Sequence, residues 1–583
     1  MEQAIKQAKA AIDNGNLLLA YDIAQSAIEA GEGSEELRHL LVLALARMGN
    51  AELAMELYHH YELERSPDAH HRAIAARILK DSALATTEPD DRDQAFALAF
   101  EASEHLFREN GDAYPGINAA TLAYLGGQEP KARALATTIL VLPEIADPAD
   151  FYAAATKAEA LFLLGRFDEA GTTLQSARDL PGANSGAKSS SCRQLSLIAE
   201  VAGLGVEQSD ALLAPILPPS VIHFCGHMFL EDAALETELR KAVDQFLDAH
   251  DVGFAYGAIA AGSDILIAEA ILARGSELHL TLPFARDDFI IQSITPAGPG
   301  WLERFERCMA LATSVNFATE MHYVADPSQF GYASKVAMGM AKLRAQYLGG
   351  AVQQLAIWDG KPANGPAGTG ADVKNWQSYG GSVTIIGAQD LNRQLSLPQK
   401  PKHDPYKRTT AAILFTDFQG FSKLSEAAIP TFWNGVMGRM GTVLRGHQNN
   451  ILAQNSWGDA LLAVASGAAV AAEIALELQS ALRDFDMASL GLNEAGGMRI
   501  GVHYGPTYEM DDPITGKVNY YGTEVSKAAR IEPVTPPGAV FVTEPFAAIL
   551  ALEAADYFIC QFVGKVQFAK DYGTYPMYRL TAT

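Results

Sequence analysis

Ala411-Ala412-Ile413-Leu414-Phe415-Thr416-Asp417-Phe418-Gln419-Gly420-Phe421 is the stretch on which the reading of this chain turns. The apolar run 411–415 reads as a buried strand. A carboxylate at the end of a core strand, followed by a glycine turn, is poorly explained by packing alone. An amphipathic helix is expected next, with Ile429, Phe432, Val436, Met440 and Val443 on one face. The runs 451–456 and 461–464 flank Trp457-Gly458-Asp459 and read as a β-hairpin with its tip at the glycine. That hairpin is expected to bring Asp459 beside Asp417. Two carboxylates placed together repel at neutral pH, and divalent cations offset the repulsion.

Further blocks follow: Met498-Arg499-Ile500-Gly501-Val502-His503-x-Gly505, then Tyr521-Gly522-x-x-Val525-x-x-Ala528-x-Arg530. With Phe415-x-Asp417-Phe418-x-Gly420-Phe421 and Gly458-Asp459, they resemble the class III nucleotidyl cyclases, the adenylate and guanylate cyclase family. The resemblance covers residues 408–583 and implies an α+β, ferredoxin-like catalytic domain. It implies that a nucleoside triphosphate loses pyrophosphate as its 3′-hydroxyl attacks the α-phosphate. Asp417 and Asp459 match the carboxylates that hold two Mg²⁺ or Mn²⁺ ions per site. The turn Phe418, Gln419, Gly420, Phe421 matches the backbone that receives the β- and γ-phosphates. Arg499 matches an arginine gripping the triphosphate, and Arg530 the one stabilising charge on the α-phosphate. The segment bearing Ser526 and Arg530, four residues apart on an expected helix, completes the partner chain's site in this family, which implies a homodimer. Three departures stand out. Ser526 replaces the usual asparagine. Asn455 and Asn519 occupy the positions that read the base, where lysine or glutamate and aspartate or cysteine are usual; amides donate and accept, and so dictate no single base. The phosphate-binding lysine of the C-terminal hairpin is Lys570 by preference over Lys565. His503, on an alternating strand, reads as structural, and Gly516-Lys517 lacks the upstream glycine of a phosphate-binding loop.

Residues 219–390 alternate short apolar runs (221–224, 253–256, 277–282, 352–358, 382–386) with helical stretches. That alternation indicates βαβ units and a parallel sheet. Gly226-His227, Tyr256-Gly257, Ala261-Gly262-Ser263-Asp264, Leu282-Pro283-Phe284 and Gly365-Pro366-Ala367-Gly368-Thr369-Gly370 resemble the Rossmann-like SLOG superfamily. The resemblance implies a second, nucleotide-type ligand site near Gly226, Gly257, Gly262 and Gly368. Its hydrolytic members carry a glutamate where Asp372 stands, so binding is favoured over hydrolysis. The polar segment 391–407, with Pro398 and Pro401, reads as a linker.

Residues 1–218 show apolar positions three and four apart, as in Leu18, Tyr21, Ala24, Ala27 and Ile28. Gly15-Asn16 recurs as Gly49-Asn50 after 34 residues, and Leu125-Gly126 as Leu164-Gly165 after 39. Such periods mean paired helices stacked into an all-α solenoid. The region resembles tetratricopeptide repeats, which implies a docking surface for a protein partner, and 112–120 resembles the TRAF-binding region of some signalling kinases. Ser185–Ser191 is expected to form a loop. The pairs His59-His60 and His70-His71 are expected to be exposed.

With 44 Lys+Arg against 69 Asp+Glu, the formal net charge is -25. Such a surface repels phosphate backbones, so general nucleic-acid binding is not expected. Four scattered cysteines, with no C-x-x-C pair, fit a reducing compartment and neither a disulfide scaffold nor a zinc site. The start Met1-Glu2-Gln3 lacks a signal peptide's basic flank, and the longest apolar run, 460–472, is too short and Ala-rich to span a bilayer. The expectation is a cytoplasmic signalling enzyme, ATP being its first candidate substrate. The rivals are a nucleotide sensor whose turnover is weakened or lost at Ser526, and a cyclase accessory to a hydrolytic middle domain.

Overall fold

The computed structural model describes residues 1–14, 16–85, 89–319, 321–363, 365–388, 391, 393, 395, 406–490, 497–569 and 572–583. Two compact units result. One holds residues 1–218 with 346–350 and 562–564; the other holds the remainder.

The first unit is helical, from Glu2–Asp13 to Val206–Leu213. Its repeat signature is a backbone device. Asn16, Asn50, Gln128 and Arg166 each precede a helix with φ near -90°, and their amides donate to Ala11, Leu45, Ala123 and Leu161. Gly49, Gly127 and Gly165 stand just before three of them at φ of 86°, 74° and 73°. A left-handed residue lets the closing amide reach back across the last turn and satisfy a carbonyl. Ser185–Ser191 is not a loop but the start of helix Ser185–Val201. The Asn184 side chain caps it by accepting from the Ala187 amide at 2.9 Å. Its small residues serve close packing: a Cβ on Gly186 would sit 2.2 Å from the Ile12 carbonyl oxygen. His71 also departs from expectation; it is buried, with Nδ1 3.1 Å from Glu35 and Nε2 3.0 Å from Glu36.

The second unit contains two sheets. In the first, β1 (Ser220–Gly226), β2 (Val252–Gly257), β3 (Glu277–Leu282), β4 (Ser314–Phe317), β5 (Val352–Trp358) and β6 (Val383–Gly387) run parallel in the order β4-β3-β2-β1-β5-β6. Buried Ile222, Phe224, Leu280 and Leu355 pack one face against helices that include Ile265, while Cys225 and Ala356 pack the other against Val373. Strand β4 and helices Arg286–Ser293 and Gly300–Leu311 were not separated in the sequence reading, although Trp301, Phe305 and Cys308, all buried, stand four and three apart. The chain travels outward from β1 to β4 and returns beside β1 as β5. The direction therefore switches between β1 and β5, where such sheets hold ligands.

The second sheet comprises β7 (Lys407–Gln419), β8 (Ile451–Trp457), β9 (Ala460–Ala465), β10 (Gly497–Asp511), β11 (Val518–Tyr521), β12 (Val540–Thr543), β13 (Phe558–Gln567) and β14 (Thr574–Ala582). The order is β13-β14-β12-β10-β7-β9-β8, with β11 paired to β10. Strand β7 is central, antiparallel to both β10 and β9. The expected amphipathic helix is present, but a π-turn at Trp433–Met437 shifts its stripe. Phe432, Val436, Met440 and Leu444 are the buried residues, rather than Val443. The expected linker lies almost wholly outside the described residues. Among the described residues no helix is long and apolar enough to cross a membrane.

Candidate active site and second crevice

Strand pairing assembles the first site. Register places Arg499 of β10 opposite Asp417 of β7. The hairpin closes with Trp457 opposite Ala460, and Gly458 takes a φ of 64° at its tip. Asp459 then lies against the end of β7, where the Phe418 amide donates to its Oδ2 at 3.3 Å. Burial and the neighbouring charge of Asp417 both raise the Asp459 carboxyl above its ordinary range. The guanidinium of Arg499 contacts Asp417 directly and lies 2.8 Å from Glu532.

Glu532 is a third carboxylate that no sequence spacing marked. It follows the Arg530 block by two residues and sits in a short turn, 532–534. Burial and the charge of Asp417 push it up to about 7, against the pull of Arg499. Sequence alone gave no reason to separate it from an exposed turn glutamate.

The remaining expected residues lie nearby or at the rim. Gly420 adopts φ 99° and opens the turn Phe421–Lys423. Phe418 is buried against Phe432, with ring centroids 5.1 Å apart, so this residue contributes its amide to Asp459 and its ring to the core. Helix Thr523–Ala528 carries Ser526 and stops two residues short of Arg530, which falls in the following turn. The Nε of Arg530 is covered and has no hydrogen-bond acceptor among the described residues. Asn455 lies exposed on edge strand β8, its Oδ1 accepting from the Ser456 amide at 3.0 Å. Asn519, on β11, accepts from the Tyr520 amide at 2.9 Å and lies against Asp512 and Tyr521. Lys570 lies outside the described residues. His503 is buried and structural, 2.8 Å from both Thr543 Oγ1 and Glu524 Oε2.

The donor set fits divalent metal. Among the described residues no group of three or more His, Cys, Asp and Glu side chains is placed to enclose an ion. Mg²⁺ is commonly held by one or two carboxylates together with substrate phosphates, and Asp417 with Asp459 supplies that pair.

The second site lies where β1 and β5 end. His227 Nε2 is 2.9 Å from Asp359 Oδ1, and Arg393 is 3.3 Å from the other oxygen. Burial opposes ionisation of Asp359, but His227, the Lys361 amide and Arg393 hold it at about 2. Gly262 (φ 93°) and Gly368 (φ 103°) precede helices Ser263–Ala273 and Thr369–Ser378. Gly226 and Gly257 instead serve packing: added Cβ atoms would lie 2.2 Å from Ser263 and 2.7 Å from the Phe224 carbonyl oxygen. Asp264 and Asp372 are desolvated beneath this crevice and rise to about 8 and about 7.

The mixed sheet, with paired carboxylates at β7 and the β8–β9 turn, agrees with the resemblance to class III cyclase catalytic domains. Residues 404–581 match the family model described as adenylate and guanylate cyclase catalytic domain. Residues 3–123 match the model described as Tetratricopeptide Repeats-Sensor. Similar solved structures include the guanylate cyclase domain of RhGC from Catenaria anguillulae in complex with GTP, 19% identical, covering 30% of this chain and 98% of that one, TM-score 0.26. The adenylyl cyclase CyaB from P. aeruginosa is 18% identical over 30% of this chain and 96% of that one, TM-score 0.26. Adenylate cyclases from Trypanosoma brucei in their monomeric state are 20% identical over 29% and 87%, TM-score 0.26. No curated protein sequence matches the chain.

Proposed function

We propose that the C-terminal domain converts a nucleoside triphosphate, ATP first, to a 3′,5′-cyclic nucleotide and pyrophosphate. The carrying observation is the placement of Asp459 against the end of β7, where the charge of Asp417 raises its carboxyl. Asp417 and Asp459 would hold two Mg²⁺ or Mn²⁺ ions, which supply polarisation of the attacking hydroxyl and of the leaving oxygens. The chain's own groups do the rest. The amides of the turn Gln419–Phe421 orient the β- and γ-phosphates. Arg499 pairs with Asp417 and Glu532, and would be free to grip the triphosphate where those carboxylates hold metal. Arg530 opposes charge growing on the α-phosphate, the main electrostatic task of this chemistry. Its place just past helix Thr523–Ala528, on the segment that completes the partner's site in the cyclase family, supports a homodimer with shared sites. Ser526 donates one hydrogen bond to the ribose, from a shorter reach than an asparagine.

The crevice between β1 and β5 is proposed to bind a nucleotide-type ligand that tunes the cyclase. A single helix, 328–348, touches both sheets. A Cβ on its Gly331 would meet the Pro366 carbonyl oxygen of the glycine-rich loop at 2.6 Å. The next residue, Tyr332, donates to the Tyr504 carbonyl of β10 at 2.9 Å. The helix thus connects the loop to the strand that carries Arg499, the route by which a ligand there would act.

The test is incubation of the purified chain with ATP, GTP, CTP and UTP in separate Mn²⁺ reactions, with products identified by mass. A cyclic nucleotide is expected. Tight binding of a triphosphate with no product from any of the four favours the rival sensor reading, in which Ser526 has cost turnover.

A further inference from the structure

The N-terminal helices hold a group of cations that the catalytic reading does not use. Arg47 ends helix Glu35–Arg47; Arg77 and Lys80 lie on helix Ala69–Ala85; Arg193 lies on Ser185–Val201. The last helix packs against Glu2–Asp13, Ala113–Leu125 and Phe151–Leu163. Contacts tie the group together. Arg193 donates to the Arg47 carbonyl at 3.4 Å, Arg77 to Ser190 Oγ at 3.2 Å, and Lys80 to Gln194 Oε1 at 2.5 Å.

Charge within the group is poorly balanced. Its acids are Asp81, Glu159 and, beside Arg47, Asp13. Asp81 stands 3.8 Å from Arg77 Nε, too far for a hydrogen bond. Burial raises the Glu159 carboxyl, which Thr121 and Gln194 hold, so this acid is a weak counter-charge. Burial, then the neighbouring Arg77, lowers both Arg47 and Arg193, the latter to about 10. The Nε atoms of Arg47, Arg77 and Arg193 are all covered and find no acceptor among the described residues. Orphaned guanidinium donors cost more than most polar groups. In a chain of net charge -25, a group of like charges gathered inside one unit invites an anion.

Aromatic surface stands beside it. Tyr114 and Tyr152 both act on the Arg47 charge, Tyr152 also by a side-chain hydrogen bond, and they are 43% and 50% exposed; Tyr114 lies tilted against His70 and Tyr152 edge-on to Phe151, so each ring is partly uncovered. Cations at half-buried positions next to partly uncovered aromatic rings match a phosphate joined to a planar base, since any base offers a face for stacking.

We propose that Arg47, Arg77, Lys80 and Arg193 form a binding site for the phosphate of a nucleotide-type small molecule whose ring lies on Tyr114 or Tyr152. The site is separate from the catalytic carboxylates and from the β1–β5 crevice, and does not depend on the chain being a cyclase.

Hydrogen exchange on the full chain tests it, because protection is read helix by helix and nucleotide bound elsewhere does not interfere. The probes are AMP and inorganic phosphate. AMP at about ten times its Kd is expected to slow exchange in 69–85 and 185–201 about tenfold, with inorganic phosphate giving less. Arg77→Gln with Arg193→Gln is expected to abolish both effects. Should that double variant fail to fold, Lys80→Gln is expected to weaken AMP protection severalfold. Absence of protection by either probe overturns the site, as does protection that survives the substitutions. Equal protection by the two probes overturns the aromatic half of the assignment.

Discussion

Two pairs of acids, one at the rim of the mixed sheet and one in the first turns of helices covering the parallel sheet, have opposite fates. Asp417 and Asp459 lie at the rim of the mixed sheet, and the Asp417 side chain is 29% exposed with a guanidinium on it. Asp264 is 6% exposed; its Oδ2 accepts from the Ala260 amide at 3.1 Å, and its charged neighbour is another acid, Asp372. Environment decides the chemistry available to a residue type. Partial solvation and a paired guanidinium leave the first pair suited to the metal-holding role proposed for it. Desolvation holds the second pair protonated near neutral pH, able to donate a hydrogen bond to a ligand rather than grip a cation.

The largest test removes the first pair. Asp417→Ala and Asp459→Ala are each expected to cut cyclic nucleotide formation by about 10³ or more, of the order seen when a main electrostatic group is deleted. The fold should survive, because Arg499 keeps Glu532 as partner and like-charge repulsion falls. Circular dichroism and product assay are read together. Coexpressing Asp417→Ala with Arg530→Ala tests the shared site: heterodimers should regain activity, and none regained would remove the shared-site arrangement.

A second, smaller effect concerns the rim of the same site. Asn519 is tied to Asp512 and Tyr521, whereas Asn455 sits on an edge strand. Base choice should therefore follow Asn455 more than Asn519. The wild type is expected to turn over more than one triphosphate. Asn455→Lys with Asn519→Asp should shift the kcat/KM ratio toward ATP, and Asn455→Glu toward GTP, by about tenfold each. Rates that change without changing that ratio would show that other residues read the base.

Legibility divides along the same line. The core strand 411–415, the hairpin and the position of Asp459 followed from short apolar runs and a glycine turn, which are short-range signals. Glu532 did not, because its role depends on β7 and β10 lying side by side, a pairing between residues far apart in sequence. Helix Ser185–Val201 was misread for a related reason: its serines and glycine look like a loop locally, and only the approach of Ile12 gives small residues a use there. Asp264 was noticed as part of a motif, yet its burial comes from helices and strands that no local pattern brings together.

That burial sets the smallest prediction. The Asp264 carboxyl stands at about 8 in the folded chain, against about 3.9 when unfolded. Between those values the folded state keeps a proton that the unfolded state has released. Stability therefore falls as pH rises through this window, by up to ~1.4 kcal/mol per pH unit, and levels off above the folded value. Below the window both states are protonated and nothing is lost. Asp264→Asn preserves shape and the acceptor for the Ala260 amide but has no proton to lose. The variant and wild type should thus melt together near pH 4, with the variant ahead by about 2–4 °C at pH 8 for each kcal/mol removed. Asp372 contributes a shallower loss of the same sign, since its carboxyl stands at about 7. A ligand that accepts a hydrogen bond from the protonated acid would deepen the dependence, because binding would then favour the low-pH form. If the two melting curves stay parallel from pH 4 to pH 8, Asp264 is ionised in the fold, and the contrast between the two acidic groups fails at its second member.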